Sequence, residues 1–188
     1  FLMDRPFSRS RTRHVAATIT VLGSLLSAGL LSGPAAADFS QAFDFYVAEE
    51  FDKARRLVEP DAKRGHPAAQ WLLGTMYLLG RGLDENPKAA RDWLEKSASS
   101  NYPPAQAVLG RMYEEGLGGT QDVEEAHILY RMSAEQGYAD AAYLLGRQYY
   151  RGEGVRKDGK NAIKWLTIAA NDGNADAQYL GARILLTD

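Results

Sequence analysis

The stretch that decides the fold is "AAYLLGRQYYRGEGVRKDGKNAIKWLTIAANDGNAD", residues 141–176. Its arrangement of small, apolar and glycine positions occurs again at 105–140 and at 69–104, so the chain repeats with a period of 36 residues. The recurring positions include Leu73, Leu109 and Leu145; Gly74, Gly110 and Gly146; Tyr77, Tyr113 and Tyr149; and Gly82, Gly118 and Gly154. Such repetition predicts a stack of similar helical or strand units.

Each unit predicts two helices joined by a glycine-containing loop. In the quoted unit, residues 141–150 form the first helix and 158–171 the second, because apolar residues recur at spacings of three and four. Gly146 inside the first helix costs about 1 kcal/mol relative to Ala, so we expect a neighbouring helix to pass where any Cβ would clash. Asp122 with Glu125 has the pattern of a capping box at a helix start. The second helices are expected to end in the left-handed conformation at Gly65, Asn101, Gly137 and Gly173.

The combined pattern, A-x-x-x-L-G-x-x-Y-x-x-G-x-G followed by D-x-x-x-A-x-x-W-x-x-x-A-A, resembles the Sel1-like repeat family, a relative of the tetratricopeptide repeat. Residues 69–176 carry the resemblance well and 39–68 carry it weakly. It implies an all-α, right-handed α-solenoid of stacked antiparallel helix pairs, in a family of mostly adaptor or scaffold proteins. We expect a degenerate repeat at 38–68, full repeats at 69–104, 105–140 and 141–176, and a capping helix at 177–188.

The first 37 residues have the layout of a secretory signal peptide. An uncharged stretch at 15–32 follows four arginines, and Ala35 to Ala37 fits an A-x-A cleavage site, which predicts cleavage after Ala37. A retained membrane anchor is the alternative, because 15–32 is just long enough to span a bilayer. The sequence therefore predicts a periplasmic or secreted protein that meets the membrane only through a transient signal peptide.

Charge and cysteine content exclude several functional classes. The chain has 22 basic and 24 acidic side chains, and its net charge is −2. Removal of residues 1–37 takes away four Arg and one Asp, which leaves 18 basic and 23 acidic side chains and a net charge of −5. With no Lys/Arg cluster evident beyond the first fourteen residues, we expect no nucleic-acid partner. The chain has no Cys, which excludes disulfides and a thiolate nucleophile.

Catalytic and cofactor patterns are weak. Gly154 to Lys160 reads G-x-x-x-x-G-K, but Asn161 stands where a phosphate-binding loop has Ser or Thr, no strand precedes it, and the other repeats lack its Gly-Lys pair. We interpret it as a loop between helices and expect no nucleotide, cofactor or metal. His66 and His127 lack metal-ligand spacing, and His127 is expected on the surface or in a groove. The acidic pair Glu114–Glu115 is expected on a solvated face. These features predict a protein that is not an enzyme.

Two columns of residues on the first helices are the candidate binding site. In related helical solenoids the first helices line the concave side, and a spacing of four places each ring beside an arginine. Aromatic and arginine side chains dominate interface hot spots, and arginines on an acidic protein favour a protein or peptide partner with an acidic segment. The columns are Trp71, Ala107, Tyr143 and Tyr179, and Thr75, Arg111, Arg147 and Arg183.

Two alternatives to peptide binding remain open for these columns. The rings could pack between repeats, with the arginine stems covering them. The rings could also stack on sugars, which would suit a protein that binds or processes peptidoglycan or a related glycan.

Overall fold

The computed structural model describes residues 34–187, so the predicted signal-peptide core at 15–32 lies outside the described residues. Within this range the chain forms nine helices and no strand, and each helix packs mainly against the next one. This arrangement confirms the predicted all-α solenoid of helix pairs. The helices are α1 (Pro34–Val47), α2 (Phe51–Lys63), α3 (Pro67–Leu79), α4 (Pro87–Ser99), α5 (Pro103–Glu115), α6 (Val123–Glu135), α7 (Ala139–Arg151), α8 (Gly159–Asn171) and α9 (Ala175–Thr187).

Helices α3, α5, α7 and α9 are the first helices, and α4, α6 and α8 are the second helices. In each full repeat the N-cap residue of the second helix makes two hydrogen bonds that fix the loop, one to the start of the second helix and one to the end of the first helix. Oδ1 of Asp122 accepts a hydrogen bond from the backbone N–H of Glu125 at 2.9 Å, and the backbone N–H of Asp122 donates to the carbonyl of Tyr113 at 2.9 Å. The first bond confirms the predicted cap, while the second takes the donor that a capping box would give to the Glu125 side chain. Asn86 and Asp158 repeat both bonds, with Tyr77 and Tyr149 as the acceptors of the second.

Glycine in the middle of each first helix allows the second helix to approach closely. A Cβ on Gly110 would lie 2.7 Å from Cε1 of the Tyr130 ring and 3.3 Å from the carbonyl oxygen of Ala126, both on α6. Equivalent clashes occur at Gly74 with Leu94 and at Gly146 with Leu166. The expected close approach is therefore present in all three full repeats.

The second glycine of each loop sets the contact between successive repeats. Gly154 has φ +69°, and a Cβ there would lie 2.3 Å from the carbonyl oxygen of Val123, the first residue of α6. Gly118 lies in the same way on Pro87, the first residue of α4, and Gly82 on Phe51, the first residue of α2. The glycine spacing that resembles a phosphate-binding loop thus serves repeat stacking. At the ends of the second helices, Asn101 adopts φ +60°, the left-handed conformation predicted for it and for the equivalent glycines.

Helix α1 covers the N-terminal end of the stack. It places Phe39, Phe43 and Tyr46 in the core, and the ring of Phe43 lies 6.3 Å from that of Trp71 on α3. The helix begins at Pro34, within the stretch predicted as signal peptide. No helix in the described part of the chain has the length and apolar character needed to cross a bilayer.

Replacement of Gly110 by Ala tests the close approach. The gain in helix propensity is about 1 kcal/mol, but the new methyl group would overpack against a buried ring and a backbone carbonyl, a defect that costs about 1–3 kcal/mol. We expect a net loss in the free energy of unfolding, measured by urea denaturation. Gly181→Ala is the matched control, since its Cβ would meet Leu166 at an ordinary 3.8 Å, and it should stabilise the protein by up to about 1 kcal/mol. Equal effects at the two sites would contradict the packing argument.

Candidate binding site on the first helices

We call the surface formed by the two predicted columns the first-helix face. Its N-terminal part is buried. Trp71, Thr75, Ala107 and Arg111 are all inaccessible or nearly so. The ring of Trp71 lies 6.1 Å from that of Tyr102, and Nη2 of Arg111 lies 3.7 Å from Oε1 of Glu115. These side chains contribute to packing within the solenoid, and their role in binding stays a prediction.

Arg147 forms an ion pair with the preceding repeat. Its Nη2 lies 2.7 Å from Oε1 and 2.5 Å from Oε2 of Glu114, near the end of α5. The two side chains are only 19% and 14% exposed, so solvent screens the pair less than it screens a surface ion pair. Burial opposes the charge of Arg147, but the Glu114 carboxylate outweighs it, and the pKa of Arg147 lies above its ordinary value. Arg147 is therefore held between two repeats.

Tyr130 completes this contact from the second helix α6. Its hydroxyl donates to Oε2 of Glu114 at 3.0 Å. Burial, reinforced by the Glu114 charge, raises the pKa of Tyr130 well above its ordinary value, so the hydroxyl keeps its proton. Glu114 thus joins α5, α6 and α7. The expectation that Glu114 and Glu115 form a solvated face is wrong, because both are partly buried and each lies beside an arginine.

The C-terminal end of the first-helix face is exposed and rich in tyrosine. Cζ of Arg183 lies 5.8 Å from the ring centroid of Tyr150 and 6.0 Å from that of Tyr179, the second contact being the one that a spacing of four predicts. Nζ of Lys157, in the loop between α7 and α8, lies 5.6 Å from the Tyr150 centroid. Tyr179 is 68% exposed, and Tyr143 on α7 is half-buried. We call Tyr150, Lys157, Tyr179 and Arg183 the cation–tyrosine corner.

Contacts between successive first helices share one register. Arg147 meets Glu114 and Arg183 meets Tyr150, in each case a residue 33 positions earlier, three fewer than the repeat period. Comparison of equivalent columns alone misses these partners, whereas a comparison at an offset of 33 would have found both. Lys157 has no periodic signal, because the other repeats have no lysine at its position.

His127 lies in the seam between the second and third repeats and not on the surface. It is 9% exposed, its Nδ1 lies 3.1 Å from Oε1 of Gln148, and its ring meets the Tyr149 ring edge-on at 5.3 Å. Burial lowers the pKa of His127, a hydrogen bond to Gln148 opposes this effect, and the charge of Arg131 adds to it. His127 is therefore a neutral packing residue at pH 7.

The loop that resembles a phosphate-binding loop uses its distinctive residue to cap a helix. Backbone N–H and Nδ2 of Asn161 donate to the carboxylate of Asp158 at 3.0 and 2.8 Å, so Asn161 completes the start of α8. Between residues 34 and 187, no three His, Asp or Glu side chains are placed so that they could hold a metal ion.

The repeat geometry and the sequence pattern agree with one family. The Sel1 repeat model matches residues 67–102, 103–138 and 139–174, more than half of the chain. The chain belongs to the Sel1 repeat family. Members of this family are generally non-catalytic scaffolds for protein–protein interaction.

Solved structures support this assignment. A Sel1 repeat protein from Oxalobacter formigenes is 32% identical to this Sel1 repeat protein, with a TM-score of 0.70 over 74% of this chain and 56% of the other. A protective antigen of uropathogenic Escherichia coli strains with an SLR fold is 28% identical, with a TM-score of 0.71 over 88% and 34%. The chain thus spans only about half and a third of these two relatives. Cysteine rich protein B of Helicobacter pylori, 22% identical, shares the fold with a TM-score of 0.52 over 79% and 98%. A comparison with curated proteins gives no significant match.

A double-mutant cycle on Glu114 and Arg147 tests the contact between repeats. Glu114→Gln and Arg147→Gln should each lower the free energy of unfolding, and we expect a coupling of about 1–3 kcal/mol because the charges are shielded from water. Arg131 and Glu135 form the control pair, at 4.0 Å with side chains 51% and 60% exposed, and should give at most about 0.5 kcal/mol. Urea denaturation gives all the values. Similar coupling in the two pairs would show that burial of Glu114 and Arg147 does not strengthen their interaction.

His127 should make the protein less stable as the pH decreases. The unfolded chain takes up a proton on this residue near pH 6.5, whereas burial holds the folded pKa lower. The contribution of the neutral His127 side chain to the free energy of unfolding is therefore present above pH 6.5 and is lost as the pH falls below this value. We expect the melting temperature to drop further between pH 7.5 and 5.5 in the wild type than in His127→Asn, whose Nδ2 can replace Nδ1 as the donor to Gln148. From pH 7.5 to 8.5 the two proteins should change in parallel. An equal drop in the acidic range would contradict the assignment.

Proposed function

We propose that this protein is an exported, non-enzymatic scaffold that binds a protein or peptide partner through its first-helix face. The observation that carries the proposal is the contact of the exposed Tyr179 and Arg183 with each other and of Arg183 with the partly buried Tyr150, at the C-terminal end of that face. Tyrosine and arginine are the side chains most enriched at interface hot spots. Family membership supports the same role, since Sel1 repeat proteins generally mediate protein–protein interactions.

The surroundings of the predicted residues favour partner contact at one end of the face. Trp71 and Thr75 are buried in the packing of α3, and Arg147 already has a carboxylate partner in Glu114. A partner carboxylate at Arg147 would have to replace an internal ion pair. The exposed rings and cations of the third repeat and α9 therefore form the more favourable docking surface for a partner with an acidic segment.

Export is part of the proposal, and the packing of α1 supports it. The first α1 side chain described as buried is Phe39, followed by Phe43 and Tyr46. Cleavage after Ala37 would leave all three in place, so the core contribution of α1 would survive removal of a signal peptide. The protein would then act in the periplasm or outside the cell.

Site-specific photocrosslinking in exporting cells tests the binding face. A benzophenone amino acid replaces Tyr179 in one variant and Thr167, exposed on the second helix α8, in the control. We expect a discrete protein adduct at 179 and none at 167, with the partner identified by mass spectrometry. No adduct at 179, or the same adducts at both positions, would contradict docking on this face. The intact mass of the exported protein should correspond to a chain that begins at Asp38, and a mass that includes residues 1–37 would contradict cleavage.

A glycan-binding role is the second candidate, because the Tyr179 ring is open to solvent and an aromatic face can stack on a sugar. Sedimentation with isolated cell-wall sacculi separates it from peptide binding. Retention in the pellet that is lost in Tyr179→Ala would favour the glycan, and absence from the pellet would remove this candidate.

A further inference from the structure

We infer that the cation–tyrosine corner docks a short acidic peptide segment, with carboxylates at Lys157 and Arg183 and an apolar or aromatic side chain against Tyr179. This inference rests on the proposed function and names the chemistry of its partner. Two cations from different elements, the α7–α8 loop and α9, lie against the same ring, at 5.6 and 5.8 Å from the centroid of Tyr150. The corner therefore brings together positive charge and aromatic surface that are distant in sequence.

The loop of the third repeat, with the end of α7 and the start of α8, carries an excess of positive charge that the other repeats lack. Residues 151–164 contain five basic and two acidic side chains, against three and three at the equivalent 79–92, and none and four at 115–128. The expectation that no Lys/Arg cluster occurs beyond the N-terminus is therefore wrong. On a chain with net charge −2, such a local reversal of sign attracts an acidic partner to one place. The basic residues are Arg151, Arg156, Lys157, Lys160 and Lys164, all exposed.

Ring contacts prepare the two cations for binding. Arg183 lies against the rings of Tyr150 and Tyr179 and its Nη2 is 3.5 Å from the Tyr150 hydroxyl, so its position is restricted before a partner arrives. Lys157 is restricted by the same ring. Side chains that are already ordered lose less conformational entropy on binding, and an ionised donor makes a stronger hydrogen bond to a carboxylate than a neutral donor does.

A short peptide fits this corner better than a nucleic acid. Single-stranded nucleic acids also bind by stacking their bases on aromatic rings near cations, but they carry a phosphate at every nucleotide. Here acidic groups lie among the cations, because Glu153 is 3.7 Å from Arg151 and Asp158 caps α8. A chain with a few spaced carboxylates can avoid these groups, whereas a continuous row of phosphates would meet them.

Selection of random peptides displayed on phage against the immobilised full-length protein tests the inference. We expect enrichment of peptides that combine Asp or Glu with aromatic residues. The strongest of them, synthesised with a fluorescent label, is then titrated by anisotropy with the wild type and two double variants. Lys157→Glu with Arg183→Glu should weaken binding at least tenfold. The control, Arg56→Glu with Lys88→Glu, makes the same change in net charge at exposed positions outside the corner and outside residues 151–164, and it should weaken binding less than threefold.

The outcomes separate this inference from the proposed function. Peptides that lack acidic enrichment, or that bind the corner variant as well as the wild type, would overturn the inference while leaving peptide binding by the first-helix face intact. Equal weakening by both double variants would also overturn it, because it would indicate attraction by overall charge only. A labelled oligothymidylate that binds more tightly than the selected peptides would overturn it in favour of nucleic acid. A selection without any enriched peptide, together with no photocrosslink at position 179, would overturn both proposals.

Discussion

The close approach of two helix backbones, at a position where only hydrogen fits, is the constraint on which the rest of this solenoid depends. At Gly110 the second helix passes so near that a methyl group would overlap a ring of Tyr130. At Gly154 the loop passes equally near the first residue of the preceding second helix. The first contact fixes the distance within a repeat and the second fixes the distance between repeats. Each contact includes a backbone atom, the carbonyl oxygen of Ala126 at Gly110 and that of Val123 at Gly154, so the spacing of the stack depends on glycine at both positions.

That fixed geometry lets one structural position hold different chemistry in each repeat. Arg147 and Arg183 each contact the residue 33 positions before them. That residue is Glu114 for Arg147 and Tyr150 for Arg183. The first combination gives a shielded ion pair that joins two repeats, and the second gives an exposed cation–ring contact. The same offset therefore produces a shielded contact at Arg147 and a solvent-exposed contact at Arg183.

The features that could be predicted from the sequence are the local and the periodic ones. The caps at Asp122 and Asp158 and the left-handed Asn101 depend on neighbours a few residues away, and the glycine columns recur in register. The sequence leaves open whether Trp71 packs or binds, and its column cannot decide between the two, because the cover of Trp71 includes Phe43 from helix α1. A comparison of equivalent positions assumes that their surroundings are the same in every repeat. The surroundings differ, because Trp71 packs against α1, whereas the equivalent positions in later repeats lie on helices that pack against other repeats.

The placement of Glu114 also decides which parts of the first-helix face an acidic partner can use. To bind Arg147, a partner carboxylate must displace Glu114 and leave its charge partly buried beside the hydroxyl of Tyr130. Leaving one charge of a shielded pair without its counter-ion costs several kcal/mol, more than an incoming carboxylate regains. Lys157 and Arg183 both contact the ring of Tyr150, and both side chains are exposed, so a partner carboxylate can approach them from solvent. The arginines of one column are therefore not equivalent for an acidic partner, and the one that contacts tyrosine is energetically the more favourable.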